Sequence, residues 1–393
     1  MRELSSLLEP ISLTEFFAEY WEKQPLVVKS KDRARYARLL TSQALEELIS
    51  NSDLRYPAIK LAKDGRFYPP EAFTTDVEVG MCTFRAAADR WKIAELYGSG
   101  ASITFPALHR SWQPISELCA CIEDGIDHSL HANAYLTPGR SSGFPPHYDC
   151  HDVLVLQIGG RKRWLIDEPM ITLPHDSQVF NPETFTGGAR VMEVDLEAGD
   201  LLYLPRGLVH STITAESFSA HVTVGINVYS WVDCVAEVMA GAADVPALRR
   251  ALPPGFASQA LLRAPVVQQL ERLLAGTPWQ TQAGRLFDQL AQRVRGFKRR
   301  SQPPFRAQVS VLSLDSELAA PLHEEYQLAL AEERVVLGFE RRSYHFPGPM
   351  GAALRGICER QRFRLRELTP GLDEQSVLQL ARLLHAIGFL RAL

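Results

Sequence analysis

Pro145-Pro146-His147-Tyr148-Asp149, read with Gly199-Asp200-Leu201-Leu202-Tyr203-Leu204-Pro205-Arg206-Gly207-Leu208-Val209-His210, decides the fold of this chain. His147 and Asp149 stand two apart, so on an extended chain their side chains leave the same face. The second run reads as a turn, a short apolar strand, a second turn at Pro205-x-Gly207, and then a histidine. Two imidazoles and one carboxylate in the order His-x-Asp … His form the ligand set of non-haem iron(II) oxygenases, which leaves metal positions open for chemistry. Either half alone is commonplace. Together, each beside a strand-like apolar run, they point to iron held by His147, Asp149 and His210. Zinc is the chemical competitor, but structural zinc favours cysteine-rich four-ligand sets, and the sequence has no Cys-x-x-Cys pair.

The composition fits an ordinary globular protein. The chain has 393 residues, 46% hydrophobic and 22% charged, enough for two or three domains. A net charge of −4 argues against general affinity for nucleic acid or a membrane surface. The six cysteines are scattered without a disulfide framework, which predicts a reduced, cytoplasmic setting. Cys119-x-Cys121 lies in a helix-like run and is expected to pack in the core. Cys150 sits beside the ligand set, where it is expected as a small buried filler before a target of oxidation by a reactive iron. No apolar leader opens the chain and no window is long enough to span a bilayer, so neither secretion nor a membrane span is expected.

The pattern predicts three parts. In residues 1–230 a helix capped by Ser12 or Thr14, a strand at 25–28 and a helix over 42–50 come first. Helices are expected to dominate 75–130, including the run from Arg85 to Tyr97. A strand-rich core follows over 131–230, with Val153–Ile158 and Arg161–Ile166 read as a tight hairpin joined at Gly159-Gly160. Many short antiparallel strands with Gly and Pro turns predict an α+β fold built on a barrel or jelly roll. Residues 231–300 read as helical, with apolar stripes at 231–240, 247–252, 259–274 and 285–294. Ser301-Gln302-Pro303-Pro304 is the linker candidate, and 301–393 reads as a small α/β module. Its last helix is capped near Thr369 to Asp373 and closed by Gly388.

The segments Ala132-Asn-Ala-Tyr-Leu-Thr-Pro138, Gly143-Phe-Pro-Pro-His-Tyr-Asp149, Leu156-Gln-Ile-Gly-Gly-Arg-Lys-Arg-Trp164 and Pro205-Arg-Gly-Leu-Val-His210 resemble the JmjC-type ribosomal oxygenases of the cupin group. The resemblance is dense over 131–230 and architectural elsewhere. It implies a double-stranded β-helix core, a helical dimerisation segment and a C-terminal winged helix. It also implies a protein hydroxylase using Fe(II), 2-oxoglutarate and O2. By position, Lys162 would pair with the distal carboxylate of 2-oxoglutarate, Tyr135 would hydrogen-bond the same group, and Asn133 would line the pocket. A dicarboxylate calls for such a fixed cation and neutral donor in a dry site. Lys162 favours the histidyl-hydroxylase branch, because the bacterial arginyl branch tends to carry arginine there. Two departures bear on substrate choice: residues 139–142 (Gly-Arg-Ser-Ser), and Gly225 where the closer branch often has serine.

The resemblance implies a ribosomal protein as substrate, at a histidine before an arginine, and a homodimer through 231–297. A peptide natural product or an amino acid is the alternative within the enzyme class. A nucleic-acid-binding regulator is the alternative outside it. Seven arginines stand against one acid, Glu359, between Arg341 and Arg366, and winged helices are familiar DNA readers. The ordinary reading of such a run is a solvated basic face.

Overall fold

The computed structural model of the chain describes residues 2–51, 54–80, 82–142, 144–240, 245–254, 261, 263–276, 284, 287, 312–320, 326–330, 334–339, 342–360, 362–368, 372–387 and 389–392. It divides into two units, Met1–Val228 and Tyr229–Leu393. No helix among the described residues is long and apolar enough to cross a membrane.

The first unit opens with α1 (Arg2–Leu8), the short α2 (Leu13–Glu15) and a π-helical turn over Phe16–Tyr20. Of the two proposed caps it is Ser12 that acts, its hydroxyl accepting from Glu15 N–H. The strands β1 (Leu26–Val28), β2 (Lys60–Lys63) and β3 (Arg66–Phe67) follow, with α3 (Ser42–Asn51) between the first two. Next come β4 (Thr74–Val79), β5 (Cys82–Ala88), α4 (Arg90–Gly98), β6 (Ser102–Phe105) and α5 (Gln113–Ile126). The strand-rich part is β7 (Ser129–Thr137), β8 (Asp152–Pro169), β9 (Arg190–Glu197), β10 (Leu201–Leu204) and β11 (Leu208–Asn227).

All but the β4–β5 pair join one antiparallel sheet in the order β1-β10-β8-β11-β7-β6-β2-β3, with β9 also on β8. Period-two alternation sorts its side chains. Ala132, Ala134, Leu136, Leu154, Leu156, Val222, Val224 and Ile226 enter a large core shared with α1 and α5. The alternate residues Val153, Val155, Trp164, Leu202 and Leu204 build a second core on the other face. The active-site candidates lie on that second face.

Several expectations fail in this unit. Gly159-Gly160 is not a hairpin turn. The chain runs through it as one 18-residue strand, because β11 pairs antiparallel with both halves of β8. Between Gly160 and Lys162 β8 advances two residues, while β11 advances five, from Ser219 back to Thr214. That mismatch is a bulge, and bulges bend sheets toward closure. Gly160 takes φ +61° there, and a β-carbon would lie 1.8 Å from the Phe218 carbonyl oxygen. The second failure is at 85–88, where the alanine run reads as helix but forms the end of β5. Its backbone pairs with Thr74 and Thr75, and the helix begins only after the Asp89 cap. Helices therefore share 75–130 with a hairpin. Cys119 is buried in α5, as expected, but Cys121 points to solvent.

The second unit contains α6 (Trp231–Ala240) and α7 (Arg263–Gly276). The expected helix over 247–252 is a series of turns. It is confined between Pro246 and Pro253-Pro254, too short a span to nucleate a helix. Further on, β12 (Glu317–Ala319), β16 (Arg362–Arg364) and β17 (Arg391–Ala392) form one small sheet. A meander of β13 (Tyr326–Leu330), β14 (Arg334–Phe339) and β15 (Arg342–Pro347) forms another. The helices α8 (Gly351–Cys358) and α9 (Glu374–Ala386), the latter capped by Asp373, share a core with both sheets through Leu354, Ile357, Leu380 and Leu384. Most of the expected helix over 285–294, the linker 301–304 and the closing Gly388 lie outside the described residues.

Gly160→Ala meets both a disfavoured φ and a backbone oxygen, so it should destabilise the first unit by roughly 2–4 kcal/mol. Gly80→Ala, at φ +63° in open space, should cost only about 1 kcal/mol. Urea midpoints of the two variants check the contrast.

Candidate active site

The ligand trio is assembled by the backbone. His147 N–H donates to His210 C=O at 3.1 Å, and His210 N–H donates back to His147 C=O at 2.8 Å. Gly207 N–H reaches Asp149 C=O at 3.0 Å, extending the same ladder, and Gly207 can do so at φ +90°. The side chains then converge. One ligand atom from each of His147, Asp149 and His210 lies within 4.8 Å of the others. His210 Nε2 stands 3.8 Å from an Asp149 carboxylate oxygen, and the two imidazole centroids are 4.5 Å apart.

Each histidine is aimed by its other nitrogen. His147 Nδ1 lies 2.9 Å from Pro145 C=O, and His210 Nδ1 lies 3.1 Å from Leu208 C=O. A proton on Nδ1 donated to these carbonyls leaves each Nε2 lone pair facing the trio, the tautomer a metal requires. Burial, with the neighbouring His147, drives the pKa of His210 down to about 4, so its ring is neutral at ordinary pH. Burial works against ionising Asp149, but the imidazoles of His210, His151, His147 and His131 outweigh it and hold the carboxyl below its usual range. Two imidazole nitrogens and a carboxylate fit a divalent iron.

Behind the trio sits a buried polar post. The Asp152 carboxylate accepts from Tyr203 O–H at 2.7 Å, from Arg206 N–H at 3.0 Å and from Arg206 Nη1 at 3.2 Å. Arg206 also pairs with Glu22 at 2.5 Å. The Pro205–Gly207 turn that launches His210 is thereby clamped to the N-terminal segment.

The trio opens into a cavity of about 290 Å³. Lys162 is buried at its wall, Nζ 3.3 Å from Thr137 Oγ1. Burial alone lowers its pKa from 10.5 to about 7, and no carboxylate among the described residues pulls it back. Thr214 faces Lys162 across the β8–β11 pair, and its buried hydroxyl has no partner among the described residues. A buried cation beside an unsatisfied hydroxyl has the chemistry to receive an anion. Along β11, Thr214 and His210 are four residues apart on one face, about 13 Å of strand, and the long lysine stem shortens that gap.

Tyr135 and Asn133 line the same cavity. Burial pushes the Tyr135 phenol up to about 12, and the side chains of Thr223 and Asn133 bear on its hydroxyl. Asn133 Oδ1 accepts from Ala107 N–H at 2.9 Å. All six residues expected at the site are thus placed around one cavity.

The sequence reading missed His221, His151, Trp164, Thr137 and Thr214. His221 is stacked on Tyr135 with centroids 4.7 Å apart, and burial, with the nearby Lys162 cation, holds it neutral. Trp164 closes against it edge-on. The signal was available in the period-two alternation of β7 and β11: positions 133, 135 and 137, then 221 and 223, share the face of the candidate ligands.

The two departures also find their places. Arg140 is tethered to the β11 bulge, its N–H on Ala215 C=O and its guanidinium on Glu216. Gly225 sits opposite His131, and a β-carbon there would lie 2.3 Å from that ring. The His131 imidazole thus fills the space a serine would need, edge-on to His151 and held by Asn227 at 3.1 Å.

Residues 107–234 match the model of the JmjC domain. The chain is 33% identical over 233 residues to the bifunctional lysine-specific demethylase and histidyl-hydroxylase NO66 of Drosophila mojavensis, a match covering 57% of this chain and 25% of that protein. It is 28% identical over 288 residues to mouse ribosomal oxygenase 2, covering 69% of this chain and 57% of the relative. The match thus spans only a quarter to about half the length of these relatives. The Escherichia coli ribosomal oxygenase YcfD, solved with cobalt and 2-oxoglutarate, aligns over 98% of both chains at 15% identity and a TM-score of 0.47.

Lys162→Met should stabilise the protein by about 1–4 kcal/mol, since an unpaired buried cation gives way to an apolar stem. The folded pKa is depressed below that of the unfolded chain, so the charge penalty is complete below pH 7 and fades as pH rises toward 10. The gain should therefore be larger at pH 6 than at pH 9 in denaturant titrations.

Proposed function

We propose, from the premise that the chain belongs to the JmjC ribosomal-oxygenase family, that it is an Fe(II)- and 2-oxoglutarate-dependent oxygenase hydroxylating a protein side chain. One observation carries the reading: a three-ligand metal set and a buried lysine free of acids share one cavity. His147, Asp149 and His210 would hold the iron. Lys162, with Thr137 and Thr214 beside it, would hold the distal carboxylate of 2-oxoglutarate, and Tyr135 and Asn133 would line its path. When bound, iron, 2-oxoglutarate and dioxygen supply the oxidising power that inserts one oxygen atom into a C–H bond, leaving succinate and carbon dioxide.

The chain itself supplies placement and dryness. The backbone bridge fixes the ligands before any metal arrives. Neutral His221 and Trp164 wall off water without competing for the carboxylate. The Lys162 ammonium regains its charge as an anion enters, because the pairing offsets its burial.

The substrate reading is a histidine of a ribosomal protein, with arginine second. It is supported by Lys162 at its position and by the histidyl-hydroxylase activity in the name of the NO66 relatives. We further propose a homodimer through 231–297, supported by the apolar faces that α6 and α7 leave in water: Trp231 is 85% exposed, and Val235 and Leu270 are at least half exposed. A winged helix in 301–393 is supported by α8 and α9 packing on small antiparallel sheets. A reducing, cytoplasmic location is supported by six free cysteines.

Asp149→Ala should lower 2-oxoglutarate turnover about 100-fold or more, read as succinate release. Turnover at the original rate would sink the metal assignment. Mass spectrometry of ribosomal-protein peptides incubated with the enzyme should show the gain of one oxygen atom at histidine. The affinity of the Mn(II)-loaded protein for 2-oxoglutarate should fall about tenfold per pH unit above 7, because the neutral amine must take up a proton on binding. A flat calorimetric profile would remove Lys162 from the co-substrate site.

A further inference from the structure

A depression of about 480 Å³, lined by Lys63, Asp64, Arg66, Phe67, Tyr68 and Pro69, adjoins the catalytic cavity. The two hollows share a wall of two rings. Phe67 lines the depression, Phe144 lines the cavity, and their centroids are 5.7 Å apart. Phe144 in turn stands 6.0 Å from the His147 ring, edge to face. From these contacts we propose that the β2–β3 hairpin is a docking element: it receives an extended, acid-bearing stretch of the substrate polypeptide beside the residue being oxidised. The proposal rests on the oxygenase reading for its catalytic meaning.

Four observations support it. First, the hairpin is locked to the ligand-bearing segment. Its turn uses positive φ at Asp64 and Gly65, and a β-carbon on Gly65 would lie 2.5 Å from Pro145 Cδ, two residues before His147. Any chain held by the hairpin is therefore held in a fixed relation to the trio.

Second, β3 is the terminal strand of its sheet, so its outer edge pairs with no further strand. An extended peptide recognises such an edge, whereas a small molecule gains little from it. Third, Phe67 is 57% exposed at that edge, a large apolar face available to a passing side chain.

Fourth, the charge is one-sided. Lys60, Lys63 and Arg66 face a single acid, Asp64, within eight residues, although the whole chain carries −4. Lys60 Nζ already lies 5.7 Å from the Phe67 ring. The complementary occupant is therefore a carboxylate side chain flanking the target, rather than another cation. The adjacent Arg140 does not alter this balance, being paired with Glu216.

The test uses the full-length protein loaded with Mn(II) and N-oxalylglycine on an array of random-sequence peptides centred on histidine or arginine. The wild type should retain peptides enriched in Asp and Glu on one flank of the centre. Lys63→Glu with Arg66→Glu should abolish or reverse that enrichment, and Phe67→Ala should weaken retention about tenfold. Affinity for N-oxalylglycine, measured by calorimetry, should stay unchanged in both variants. All three side chains lie on an outer hairpin, and thermal midpoints verify that the variants fold. Equal retention and enrichment in the variants, enrichment of basic residues, or no retained peptide at all would overturn the proposal. Failure of the wild type to bind N-oxalylglycine would instead remove the oxygenase reading, so the two failures are distinguishable.

Discussion

Two backbone hydrogen bonds between His147 and His210 are the constraint on which the site depends. They join a segment before β8 to the start of β11, and they do so reciprocally, so neither residue can slide without breaking both. In such an antiparallel pair the register fixes the face from which each side chain emerges. Asp149, two residues along and tied to Gly207, inherits the same face. The ligands are therefore organised by main-chain geometry, with side-chain rotation held by the Pro145 and Leu208 carbonyls. The Asp152–Arg206–Tyr203 post stiffens the turn behind them, with its carboxylate fully buried and satisfied.

The long β8–β11 pairing extends this order to the other end of the cavity. It carries Lys162 and Thr214 opposite one another, and the same two strands carry Trp164 and His210. The bulge at Gly160 turns the pair so that these residues face inward around a common space. The candidate metal ligands and the buried lysine then lie on one ladder, an arrangement that would suit a ligand with a chelating group at one terminus and a carboxylate at the other. The separation between the two ends is set by strand rise, a quantity that side-chain motion changes little.

Much of this was legible in the sequence, for local reasons. His147-x-Asp149 and Pro205-x-Gly207-x-x-His210 are short patterns whose meaning depends on alternation and turn chemistry, both of which act over a few residues. Lys162 was placed by resemblance, and its burial without an acid could not be read from Arg-Lys-Arg-Trp, where its neighbours Arg161 and Arg163 are solvated and paired with Asp195. Gly159-Gly160 misled because a glycine pair permits a reversal without requiring one. The deciding fact, that β11 pairs with both flanks, is a contact some sixty residues away. The alanine run at 85–88 misled similarly: helix propensity was overridden by pairing with β4, and the Asp89 cap set the true helix start.

The fit between Gly225 and His131 has a consequence for substitution. The ring at 131 occupies the volume that any side chain at 225 would claim, so the two positions cannot be exchanged independently. A serine at 225 requires the residue at 131 to shrink or swing aside. Because His131 also abuts His151, which lines the cavity, such a shift is felt at the cavity wall. Positions 131 and 225 are therefore sterically coupled across the β7–β11 pair.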